Sequence, residues 1–81
     1  MTVLERVYDA LRRCRVLIWD PDTETVYEDD GDTRRPLGHL AYRTILRHEH
    51  LGRLVLEEGF DDDGRPVWYV DAGVRTMFPG R

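Results

Sequence analysis

The stretch "DDGDTRRPLGHLAYRTILRHEH", residues 29–50, decides how many strands this chain contains. Its first part, 29–38, has the Asp, Gly and Pro content of a loop. From Gly38 onward, Leu40, Ala41, Thr44, Ile45, His48 and Leu51 gather on one side of a wheel drawn at about 100° per residue. The reading is therefore a loop over 29–38 and a helix over 38–50, with Gly52 as the C-terminal stop. On that helix His39, Arg43, Arg47 and His50 form one basic stripe, bordered by Tyr42 and Leu46.

Working outward, Thr2 and Glu5 have the spacing of a capping box, in which each side chain satisfies a backbone donor of the other. Val3, Leu4, Val7, Tyr8, Ala10, Leu11 and Cys14 then share a helical face, predicting a first helix over 3–14 with Cys14 as a buried, inert thiol. "RVLIW" (15–19) and "ETVYE" (24–28) read as strands joined by a turn at "DPDT". "RLVLEE" (53–58) and "PVWYVDA" (66–72) read as a second hairpin with the acidic tip "GFDDDGR". A short fifth strand is expected at 74–78, and the segment 73–81 is expected to form a loose tail. These assignments predict a single α+β domain over 1–81 in the order α-β-β-α-β-β. Its two helices pack on one face of a mainly antiparallel four-stranded sheet.

Eighty-one residues suit one modest core. The 41% hydrophobic content is that of a globular chain, and no apolar run is long enough to span a bilayer. The lone cysteine excludes an internal disulfide, and together with the absence of a signal-like N-terminus it predicts a cytoplasmic protein without membrane association. The chain holds no Lys, Asn, Gln or Ser, and all twelve basic residues are Arg. A GC-rich coding bias accounts for this, with adaptation to salt or heat as a second reading. Every cation is consequently a guanidinium fork, suited to carboxylate or phosphate.

Net charge is −4, with acid collected in 20–32 and 57–64 and arginine collected along 43–53. Asp29, Asp30, Asp32, Asp61, Asp62 and Asp63 are expected to form an acidic surface. The acidic run at 20–32 lacks the Gly and Glu of an EF-hand loop, and the three histidines are not spaced to share one ion on a helix, so no metal is expected. His48 faces the core and reads as a satisfied core histidine. No serine, phosphate loop or dinucleotide fingerprint is present, so no cofactor and no enzymatic activity are expected.

The 38–50 helix followed by the 53–72 hairpin resembles the recognition helix and wing of a winged-helix domain. That resemblance covers about 35 residues by element order alone. It implies DNA binding through the helix. The family places another helix before the recognition helix, where this chain has "DPDTETVYEDDGD", and a "DDD" wing tip would repel phosphates. The preferred expectation is a non-enzymatic protein-binding module, a regulatory or inhibitory accessory of the kind carried by phages and mobile elements. It would dock on a protein partner, form a homodimer, or do both. The expected contact residues are His39, Tyr42, Arg43, Leu46, Arg47 and His50 on the helix, with Trp19 and Trp68 on an open sheet face; DNA binding is the alternative.

Overall fold

A computed structural model of the chain describes residues 1–75. Helix α1 spans Val3–Arg12, followed by strands β1 (Val16–Asp20), β2 (Thr25–Asp29) and β3 (Arg34–His39). Helix α2 (Tyr42–His50) and strands β4 (Leu54–Phe60) and β5 (Pro66–Ala72) complete the described fold. The strands form one antiparallel sheet in the order β3-β2-β1-β5-β4.

The α+β class, two helices and two hairpins are as read from the sequence, but the sheet has five strands and the element order is α-β-β-β-α-β-β. The added strand lies inside the segment read as a loop. β3 pairs with β2 and buries Leu37 in the core, and its charges match those of β2: Arg35 stands opposite Glu28 and Arg34 opposite Asp29. Both pairs are ionic, at 2.8 Å and 3.7 Å. Opposite charges across a ladder stabilise the pairing. Pro36, which has no N–H to donate, is tolerated because β3 is an edge strand. A bulge between Val26 and Tyr27 shifts the register there, and Leu37 is buried in the core. The expected strand at 74–78 is not seen where it can be judged. Val74 and Arg75 form a turn, and the remainder lies outside the described residues.

Both helices end in the same motif. At α2, Gly52 N–H donates to Glu49 O and Arg53 N–H donates to His48 O, with Gly52 at φ 76°. At α1, Cys14 N–H donates to Leu11 O and Arg15 N–H donates to Ala10 O, with Cys14 at φ 60°. This is the Schellman closure, whose left-handed position is normally glycine. The helix therefore stops at Arg12, and Cys14 is exposed instead of buried on its apolar face.

The core joins Val7, Ala10 and Leu11 of α1 and Ile45 of α2 to Leu17, Trp19, Val26, Leu37, Leu54 and Val70 from the five strands. By register, Trp19 lies opposite Trp68 and Leu17 opposite Val70, so all four point to the helices. Trp19 is 1% exposed, and Trp68 is half-buried against the same cluster. The expectation that these tryptophans occupy the open face is thus corrected. Consecutive apolar residues in "VLIW" leave the facing undecided until the strand pairs.

The other face carries Ile18, Tyr27, Val67 and Tyr69. Ile18 and Val67 are 2% and 3% exposed although neither described helix packs on that face. The sheet is also strongly coiled. Arg34 of β3 reaches Asp61, just beyond β4, at 3.7 Å. A flat sheet would hold those two edges about 19 Å apart.

Candidate docking surface

Helix α2 is only nine residues long, and its N-cap, Ala41, offers no side-chain acceptor. The missing cap comes from the β1–β2 turn. Glu24 sits at φ 53°, which costs a non-glycine residue free energy. From there its Oε2 accepts the Tyr42 amide at 2.8 Å and its backbone oxygen accepts the Leu40 amide at 2.7 Å. The Glu24 carboxyl is held below its ordinary range, first by the Tyr42 amide and then by His39. An anion at a helix N-terminus also satisfies the helix dipole. Sequence reasoning missed Glu24, because the helix was read from 38 and so its N-cap, Ala41, which has no capping side chain, was not recognised.

This arrangement places His39 differently from expectation. It ends β3 instead of opening α2, and its Nε2 donates to Glu24 Oε1 at 3.3 Å. The basic stripe on the helix itself is Arg43, Arg47 and His50, all exposed. Tyr42 stands at the start of the helix, 48% exposed, with its ring stacked on Trp19 at 5.8 Å and 23°. Trp19 in turn donates its indole N–H to Leu40 O at 2.8 Å. Tyr42 is therefore a surface aromatic held on a buried one, while Trp19 itself has no surface to offer a partner. Leu46 is half-buried.

Six of the arginines pair with carboxylates of the chain. Arg12 and Arg13 pair with Asp9, Arg15 and Arg35 with Glu28, Arg34 with Asp29 and Asp61, and Arg65 with Asp20 and Asp22. Arg6 donates to Leu37 O at 3.0 Å. Arg43, Arg47 and His50 engage no carboxylate among the described residues. In the acidic segments Asp20, Asp22, Glu28, Asp29 and Asp61 pair with other arginines.

Those acidic segments are also more ordered than solvated loops. Asp30 accepts the amides of Asp32 and Thr33, and Asp29 accepts that of Gly31. Asp61 accepts the amides of Asp63 and Arg65 and pairs with Arg34, and its side chain is only 6% exposed. Asp61 therefore holds the β4–β5 turn and does not belong to an acidic surface, whereas Asp30, Asp32, Asp62 and Asp63 are exposed and Asp29 is partly so. Backbone donors keep the Asp30 and Asp61 carboxyls below the usual range.

His48 links the helices: the Tyr8 hydroxyl and His48 Nδ1 share a hydrogen bond of 2.7 Å. Burial first, then the charges of Arg53 and Arg47, lower the His48 pKa. Among the described residues no three side chains of His, Cys, Asp or Glu converge to hold a metal. No described helix is long and apolar enough to cross a membrane. Comparison with protein-family models, curated proteins and solved structures finds no match.

Proposed function

We propose that the protein is a small non-enzymatic docking module, regulatory or inhibitory in role. It meets an acidic surface of a protein partner through Tyr42, Arg43, Arg47 and His50 of α2. The observation that carries this reading is a contrast among the arginines: Arg12, Arg13, Arg15, Arg34, Arg35 and Arg65 pair with carboxylates, whereas Arg43 and Arg47, on one helix face with His50, engage none among the described residues. Guanidinium forks favour bidentate carboxylate contacts, and an aromatic anchor beside them is the usual centre of a hot spot.

DNA is the second reading, since the same forks suit phosphate. It is weakened by one feature: the residues before α2 form a strand where a winged-helix domain has a helix. The test is a comparison of the native chain with R43Q/R47Q. The variant should melt as the native chain does, because exposed pairs contribute only about 0–1 kcal/mol and these arginines make none among the described residues. Partner association should slow and lose its salt dependence, because rim charges act on the on-rate. Unaltered association by the variant would refute the reading. Sequence-selective duplex binding tighter than about 10⁻⁵ M at physiological salt would favour DNA.

A further inference from the structure

The two edges of the sheet are built differently. On β3, Pro36 has no N–H to offer and the bulge at Val26/Tyr27 breaks the repeat, so this edge is blunted against strand addition. β4 has neither device. It runs seven residues from Leu54 to Phe60 in unbroken register with β5 and contains no proline.

The hydrogen bonds at its ends fix which groups point outward. Gly73 N–H donates to Arg53 O, and Asp61 N–H donates to Arg65 O. Bonding alternates along an antiparallel ladder, so the odd-numbered residues of β4 bond inward to β5. Leu56, Glu58 and Phe60 turn their backbone N–H and C=O away from the sheet, and none of them finds a partner there among the described residues.

The side chains around this row are acidic. Glu57 and Glu58 point to opposite faces, and both are exposed without an ion pair among the described residues. Asp62 and Asp63 at the adjoining tip are likewise exposed. Phe60, 71% exposed, adds an apolar grip at the end of the strand. A second copy is a poor occupant: antiparallel pairing of β4 with itself brings these carboxylates against their twins, and like charges across a ladder destabilise it.

We propose that the outer edge of β4 accepts an extended segment of a partner protein bearing cationic side chains on both faces, added as a sixth strand. Main-chain bonds at Leu56, Glu58 and Phe60 supply affinity, and Glu57 and Glu58 select positive charge. The inference rests on the reading of the chain as a protein-binding module but uses a surface separate from the α2 stripe.

The probe is a synthetic decapeptide alternating Val–Thr pairs with Arg, beside a twin carrying Glu for Arg. Residue-resolved amide hydrogen exchange of the full chain is the readout. The Arg peptide should slow exchange at Leu56, Glu58 and Phe60, leave the inward-bonded Val55 and Glu57 unchanged, and act equally on R43Q/R47Q. In E57R/E58R, both exposed positions, affinity for the Arg peptide should fall about tenfold and the Glu twin should be preferred. Protection at β3, no protection at all, or protection at the same amides in concentrated chain without peptide would each overturn the proposal. Engagement of α2 by the Glu twin, with β4 untouched by the Arg peptide, would overturn this inference while leaving the α2 reading intact.

Discussion

Glu24 caps a helix that begins eighteen positions later, its Oε2 accepting the Tyr42 amide at 2.8 Å. That bond ties the β1–β2 turn to the surface assigned to docking, and it holds Glu24 in a left-handed conformation. Two opposed effects meet in one residue. Glu24→Gly should destabilise the protein less than Glu24→Ala, because glycine removes the backbone strain while both variants lose the cap. Urea denaturation of the pair gives the order, and the reverse order would show that the strain is negligible. The depressed Glu24 carboxyl contributes stability that is present above the ordinary Glu pKa and lost as pH falls through its folded value. Glu24→Gln should accordingly show a shallower loss of stability between neutral and acid pH than the native chain.

Cys14 occupies the position that Gly52 fills in the second Schellman closure. Cys14→Gly should therefore raise stability by about 0.5–1 kcal/mol, the gain from relieving the left-handed residue being partly offset by the freer unfolded chain. Cys14→Val, β-branched at φ 60°, should lower it. Equal melting temperatures for the two variants would contradict the assignment.

Gly38 is at φ 146°, and a Cβ built there lies 2.6 Å from Val3 Cγ2. Gly38→Ala should cost about 1–3 kcal/mol through strain and overlap between α1 and β3. Val3→Ala opens the space without changing the backbone. The double variant should thus be less destabilised than the two single losses added together, a coupling measurable by a double-mutant cycle.

Trp19 joins the core to the start of α2. Trp19→Phe keeps an aromatic ring but leaves the Leu40 carbonyl unpaired, a loss of about 1–3 kcal/mol in chemical denaturation. The two tryptophans can also be told apart by iodide quenching of single-tryptophan variants. Trp68 in W19F should quench more readily than Trp19 in W68F, since Trp19 is buried and Trp68 only half so.

His48 gives a pH dependence of determined sign. Its folded pKa lies below the ordinary 6.5, so the unfolded chain takes up the proton first as pH falls. Its contribution is present above 6.5 and is lost as pH drops through the folded value. His48→Phe should flatten the stability profile between about pH 7 and pH 5, a window set by the ordinary histidine range. An unchanged slope in that window would place the titration elsewhere.

The sequence by itself determined what local signals encode. The Thr2/Glu5 capping box opens α1 as read, Gly52 closes α2, and the strands at 16–20, 25–29, 54–60 and 66–72 lie within residues of their expected places. The unpaired Arg43 and Arg47 were legible as a stripe because a helix of known pitch places them together. Tertiary structure alone decided the rest. β3 is not visible in "RRPLGH", since what holds it is its pairing with β2 and the burial of Leu37, not its own propensity. Once β3 claims residues 34–39, α2 cannot begin before Tyr42, and His39 leaves the stripe. Facing also escaped the sequence, because every residue in "LIW" is apolar and only the pairing of Trp19 with Trp68 sends both toward the helices. Glu24 could not have been found as a cap from its neighbours, for the amide it accepts is brought to it by β2 and β3, the two strands between them.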